Sequence, residues 1–211
     1  MVTQDETATV LVVEDDRASR ELYQTWLRSA FEVHTATGGE EALTTIDQQT
    51  NIDVVLLDRR LPGLSGREVL KEIRERGIEC QVAMLTGVDP GLDIVHMPFD
   101  DYLRKPVSKA TLVDLVNQLL VRAKYDRISQ RYFALTRKLV MLETSFDEEE
   151  LAESEEYTEL KSEYETVKAE VTEAFETAVE SVGYETLFSD LPETPPSESS
   201  HSEIGSDNNS Y

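Results

Sequence analysis

The stretch Val54-Val55-Leu56-Leu57-Asp58-Arg59-Arg60-Leu61-Pro62-Gly63 joins four apolar residues to one carboxylate and a turn. An apolar run this short, bounded by turn residues, predicts a strand buried on both faces. The same design recurs along the first half of the chain. Val10 to Val13 precede Glu14-Asp15, Val82 to Leu85 precede Thr86, and Asp101 to Leu103 precede Lys105-Pro106, with Tyr102 inside that last run. Each polar group thus sits at or just past the carboxyl end of a predicted strand. In an open parallel α/β sheet that edge is where ligands bind, because side chains from several strand ends converge there. Three carboxylates in one crevice, Glu14, Asp15 and Asp58, repel one another unless a cation lies among them, and all-oxygen ligation suits a hard ion such as Mg2+. Lys105 adds a fixed positive charge.

The wider pattern alternates strands and helices. Strands are predicted at Thr9 to Val13, Glu32 to Thr35, Asp53 to Leu57, Gln81 to Leu85 and Asp101 to Leu103. Helical periodicity fills Arg17 to Arg28, Gly39 to Gln48 and Ser65 to Arg76, and begins again near Ser108. Right-handed crossovers between parallel strands then give a three-layer α/β sandwich. Between Thr86 and Asp100 the chain is short and carries Pro90 and Pro98, so a full helix does not fit there.

Over residues 8 to 122 these motifs resemble the receiver domain of two-component response regulators. Val12-Val13-Glu14-Asp15-Asp16 is similar to the acidic-pair motif, and Leu57 to Gly63 with Gly66 to the phosphoacceptor motif. Met84-Leu85-Thr86-Gly87 and Asp100 to Pro106 complete the set. The resemblance implies a flavodoxin-like (βα)5 fold with a parallel five-stranded sheet in the order 2-1-3-4-5. It implies that Asp58 accepts the phosphoryl group from a sensor histidine kinase, and that Glu14, Asp15, Asp58 and the Arg60 backbone carbonyl hold Mg2+. It further implies that Thr86 and Lys105 contact the phosphoryl oxygens, that Tyr102 changes rotamer with phosphorylation, and that the Lys105-Pro106 bond is open to the cis form.

The chemistry stands without the family. A carboxylate takes a phosphoryl group to give an acyl phosphate while cationic groups neutralise the oxygens, and no protein base is needed. His34, His96 and His201 lie outside every strand-end motif, in keeping with that. Cys80, the sole cysteine, reads as a small buried residue. An aspartyl-nucleophile phosphatase of the haloacid-dehalogenase type needs a second acid two residues past its nucleophile, where this chain has Arg60. The expectation is therefore a phosphoacceptor and not an enzyme.

The chain has 211 residues, room for one full domain and a smaller appendage, and a net charge of -23 that opposes contact with bare nucleic acid or anionic membranes. Acids spread through every segment, with Arg outnumbering Lys, resemble the surfaces of proteins from extreme halophiles. No apolar stretch is long enough to span a bilayer, and the N-terminus is unlike a secretory signal, so a cytoplasmic protein is expected.

From Val107 to Val182 there is neither glycine nor proline, and two long helices are predicted. The first runs from about Ser108 to near Glu143, with Ile128, Tyr132, Leu135, Leu139, Leu142 and Phe146 as its apolar seam. Ser145 with Glu148 reads as a capping box for the second, whose seam is Tyr157, Leu160, Tyr164, Val167, Val171, Ala174 and Ala178. The first helix is basic (Arg122, Lys124, Arg127, Arg131, Arg137, Lys138) and the second acidic. An antiparallel hairpin that hides the basic row is expected, with a coiled-coil homodimer as the alternative. Residues 123 to 191 resemble the HalX domain found after receivers in haloarchaea, on Glu153 to Tyr157, Lys124-Tyr125-Asp126 and Tyr132 to Leu135. The run 192 to 211, rich in Pro, Ser, Glu and Asn, reads as disordered. The sequence thus reads as a response regulator with a helical output module. A DNA-binding transcriptional regulator and a protein-binding adaptor acting through the hairpin are the alternatives, DNA being ranked lower because no short helix-turn-helix pattern is present.

Overall fold

The computed structural model describes residues 7–49, 51–87 and 92–182. Five parallel strands, β1 (Thr9–Val13), β2 (Glu32–Ala36), β3 (Val54–Leu57), β4 (Gln81–Thr86) and β5 (Asp101–Arg104), form one sheet in the order β2-β1-β3-β4-β5. The three central strands are buried except at Gln81, which opens β4, whereas edge strands β2 and β5 are only partly so, which explains their weaker apolar patterns. Alternation along β1 and β3 divides the core. Leu11, Val13, Val55 and Leu57 pack with Val69, Leu70 and Ile73 on one face. Val10, Val12, Val54 and Leu56 meet Tyr23, Leu27, Leu112, Val116 and Leu119 on the other.

Helices α1 (Arg17–Leu27), α2 (Gly39–Gln48) and α3 (Gly66–Glu75) complete the crossovers. Asp16 caps α1 by accepting from the Ser19 N–H, and Ser65 with Glu68 forms a capping box on α3. Between β4 and β5 the described chain holds only a 3-10 turn, Leu92–His96, as the prolines predict; residues 88–91 lie outside the described residues.

Helix α4 (Lys109–Ser145), capped by Ser108, is 37 residues long, about 55 Å at 1.5 Å per residue. Its first third buries Leu112, Leu115, Val116 and Leu119 against the sheet, Arg122 to Gln130 still border the receiver, and the helix continues beyond them as a rod. Helix α6 (Glu155–Val182) packs back along that rod as the second arm of an antiparallel hairpin. Tyr132 stacks on Tyr164, Tyr125 meets Phe175, and the Tyr157 hydroxyl donates to Glu143. Leu135, Leu139, Val167, Ala174 and Ala178 are buried between the helices.

Three details of the hairpin differ from the expectation. Asp147, not Ser145, forms the capping box, with Glu150, because α4 continues to Ser145 and Phe146 turns the chain into extended backbone. That box starts a separate six-residue helix, α5 (Glu148–Glu153), and Ser154 restarts the chain as α6 by accepting from the Tyr157 N–H. Phe146 consequently leaves the seam and is 51% exposed. Nor is the basic row hidden. Arg131 pairs with Glu163, but Lys124, Arg127, Arg137 and Lys138 remain exposed along the flank of the hairpin. Long cationic side chains keep their charge in water and gain little from an exposed partner. The predicted tail, 192 to 211, lies outside the described residues.

Candidate functional site at the carboxyl edge of the sheet

Backbone hydrogen bonds of the parallel ladder carry Glu14, Asp58 and Lys105 one step past their strands. The Glu14 N–H donates to the Ala36 carbonyl, the Asp58 N–H to that of Val13, and the Lys105 N–H to that of Thr86. β1, β3, β4 and β5 therefore deliver their polar ends to one edge. Carboxylate oxygens of Glu14, Asp15 and Asp58 lie within 4.8 Å of one another. Glu14 and Asp58 are buried and Asp15 is exposed, so the cluster opens to solvent on one side. Lys105 Nζ reaches across from beyond β5, 2.5 Å from Glu14 Oε2 and 2.5 Å from Asp58 Oδ2.

Burial raises the Glu14 carboxyl above its ordinary pKa; the bond and charge of Lys105 oppose the rise, and the charge of Asp58 adds to it. Burial also works against the Lys105 charge, but its bonds to Asp58 and Glu14 outweigh that and raise its pKa. A lysine already shared by two carboxylates shows that the pocket attracts positive charge. An all-oxygen set opening to water on one side fits a hard divalent ion.

Asp58 Oδ1 accepts the Arg60 N–H at 3.0 Å, while the Arg60 side chain is exposed. Thr86 is fully buried at the end of β4. Tyr102 is half-buried beside Phe99, ring centroids 5.7 Å apart, with its strand neighbour Met84 in the core. The Lys105-Pro106 bond is cis.

Sequence reading missed several supports. Arg20 donates from Nη1 to the carbonyls of Glu14 (2.7 Å) and Asp15 (3.2 Å), tying the acidic loop to the first turn of α1. Its place one turn after the Asp16 cap was the available signal. Gly66 lets α3 start against the acceptor loop, since a Cβ there would run into the Asp58 carbonyl oxygen. Cys80 is buried and its thiol pushed up to about 11 by that burial, as expected of a packing residue.

Residues 10–117, about half of the chain, match the family described as response regulator receiver domain. The chain belongs to that family. Behind the receiver, residues 121–188 match the HalX domain. A Haloferax volcanii protein provisionally named a transcriptional regulator is 49% identical over 162 residues, covering 76% of this chain and 27% of that protein. The receiver domain of Francisella response regulator 1452 is 32% identical with a TM-score of 0.52, over 56% of this chain and 99% of its own. The beryllium-fluoride-activated DrrB receiver domain is 29% identical with a TM-score of 0.50, over 55% and 98%. The chain spans between 24% and 51% of the length of the curated relatives it matches. Among the described residues no helix is long and apolar enough to cross a membrane.

Proposed function

We propose that this receiver is a phosphorelay acceptor in which Asp58 takes a phosphoryl group from the phosphohistidine of a sensor kinase. The P–N bond of the donor, whose imidazole carries a proton on its other ring nitrogen, breaks and a P–O bond to an Asp58 carboxylate oxygen forms, giving an acyl phosphate and leaving neutral histidine. Asp58 is nucleophilic as the carboxylate, so no base is needed. The observation that carries the reading is the convergence of Glu14, Asp15, Asp58 and Lys105 at one strand edge.

Glu14, Asp15, Asp58 and the Arg60 carbonyl would hold Mg2+, which when bound neutralises charge on the transferring oxygens. Lys105 is positioned to trade its carboxylate contacts for a phosphoryl oxygen, and the Thr86 hydroxyl to donate to another. Tyr102, between the site and the base of α4, would repack as Thr86 moves. The chain then divides into a receiver (8–122), a HalX-like output module (123–191) and a tail (192–211), with α4 running unbroken through the first boundary. Incubation with Mg2+ and acetyl phosphate should add one acid-stable, base-labile phosphate, and Asp58→Asn should abolish it. Full labelling of that variant removes the assignment.

A second reading, DNA binding by the output module, gains from the exposure of Lys124, Arg127, Arg137 and Lys138 and from the name of the Haloferax relative. Retention of the phosphorylated chain on DNA, lost on raising salt, would favour it over protein-only output.

A further inference from the structure

We propose that the far tip of the hairpin is a docking groove for a basic amphipathic helix of another protein. The groove, about 740 Å3 in volume, lies where α4 ends and α5 and α6 begin. Phe146, Leu151 and Tyr157 line it, together with Glu143, Glu148 and Glu165. Leu151 is buried, whereas Phe146 is 51% exposed, because the chain turns into extended backbone there. Lys161, the one cation among the lining residues, lies over the Tyr157 ring, 5.6 Å from its centroid.

Negative charge is concentrated at this end. Residues 143–156 hold eight acids and no base, more than half of the segment, against about a fifth for the whole chain. Some have local roles. Asp147 and Glu150 form the α5 capping box, Glu143 accepts from the Tyr157 hydroxyl, and Glu156 accepts from that of Ser154. Glu148 and Glu149 stand at the positive end of α5, a favourable but small effect. All eight are exposed, and no ion pair among the described residues reaches any of them. A generally acidic surface accounts neither for that density nor for a half-exposed phenylalanine in its midst.

Both features oppose the hairpin standing alone. Crowded like charges repel, and an apolar groove left in water forgoes burial. A partner bringing an apolar side chain flanked by lysine or arginine relieves both at once. An amphipathic helix carries that set on one face, and the tip has no strand edge for an extended peptide to pair with. Charge removes the other occupants. Nucleic acid and anionic lipid are repelled, and two copies meeting tip to tip would set acids against acids. Tip-to-flank contact between copies would not close on itself and would run on into filaments. Ser145 lies about 22 Å along α4 beyond Gln130, so the groove stands clear of the receiver. The inference does not rest on Asp58 accepting phosphate.

Fluorescence anisotropy of a labelled model peptide, its helix carrying leucines on one face and lysines on the other, titrated with the full chain at falling KCl, tests it. One peptide should bind per chain. A peptide of equal charge with serine at each leucine should bind more weakly by about tenfold or more. Phe146→Ser, and separately Glu148→Lys with Glu149→Lys, should each weaken the leucine peptide by about tenfold or more, with helix content unchanged by circular dichroism. Glu40→Lys with Glu176→Lys, which changes the same charge away from the tip, should leave the affinity unaltered. If either tip variant loses helix, Phe146→Ala or Glu148→Gln with Glu149→Gln takes its place. Absence of saturable binding, equal binding of the serine peptide, or equal weakening by the control pair overturns the proposal. A multiple of the chain mass in sedimentation that Phe146→Ser returns to a single chain also overturns it, and gives the groove to a second copy.

Discussion

Lys105 Nζ lies 2.5 Å from Oδ2 of Asp58 and equally close to Oε2 of Glu14, so one ammonium bridges carboxylates delivered by two different strands. Removing it leaves two shielded acids facing each other. Breaking a fully buried pair costs about 3–5 kcal/mol, and residual solvent contact at Lys105 (18%) and Asp58 (10%) places this case at or below the lower end. Lys105→Met should therefore lower the unfolding free energy by about 2 kcal/mol in magnesium-free buffer. Added Mg2+ should return part of the loss. Urea titrations with and without the ion check this, and equal stability of the two proteins without Mg2+ would contradict the bridge.

Arg60 donates its backbone N–H to Asp58 while its side chain stays exposed, free to swing over a group attached to the carboxylate. A long cation there would pair with the phosphoryl oxygens and obstruct incoming water. Arg60→Ala should shorten the phosphoryl half-life severalfold at unchanged stability. The decay of label after removal of the donor measures this, and an unaltered rate means that the side chain merely points into solvent.

The receiver was legible because its two signals are local. A four- or five-residue apolar run means a strand buried on both faces, and the polar residue after it must emerge at the sheet edge, so Glu14, Asp58 and Thr86 could be placed together without knowing the topology. The strand order was not in the pattern, since nothing in an apolar run names its neighbours; it came with the resemblance. The hairpin seams followed from the 3-4 spacing, and Leu139, Val167 and Ala178 lie where that spacing puts them. The break at Ser154 was not legible, because no Gly or Pro marks it and the cap works equally well as a mid-helix serine until tertiary packing decides. The basic row was misjudged for a related reason: opposite charge on two helices does not force contact when water solvates both.

Cys80 lies buried between α3 and β4, with its thiol pushed up to about 11. The thiolate fraction at pH 8 is then very small and reagent access is blocked. Ellman's reagent should leave the native protein unlabelled at pH 8 and react with one thiol per chain in urea. Rapid native labelling would mean that this edge of the sheet opens.

Antiparallel arms place Leu139 of α4 and Leu160 of α6 at the same level, between the Tyr132–Tyr164 stack and the Tyr157–Glu143 bond. Leu139→Cys with Leu160→Cys, in a Cys80→Ser background, should crosslink within one chain. Non-reducing electrophoresis reads the product. Crosslinking of Leu139→Cys alone to another copy, with no intrachain band from the pair, would instead mean that the first helices run side by side in a parallel dimer.

The rod meets the receiver at Asp100. The Arg122 guanidinium on α4 donates to its carbonyl at 3.3 Å, and its carboxylate accepts Arg74 Nη2 and the Val82 N–H, both at 2.6 Å. Arg74 in turn holds the carbonyls of Pro98 and Cys80, so the turn before β5 is pinned to α3, β4 and the rod together. Tyr102 lies two residues further on. Any rearrangement at Tyr102 therefore pulls on a segment bonded directly to the rod, and a rod of this length converts a small tilt at its base into a large displacement at its tip. Asp100→Ala should cost about 2 kcal/mol, because charged hydrogen bonds to Arg74 and Val82 are lost together. Arg122→Ala should cost less, since its bond is long and only partly buried. Its larger effect should be on coupling: spin-label distances between α2 and the hairpin tip should shift on beryllium fluoride activation in the wild type and shift less in Arg122→Ala. An undiminished shift in the variant would mean that the signal reaches the hairpin by another contact.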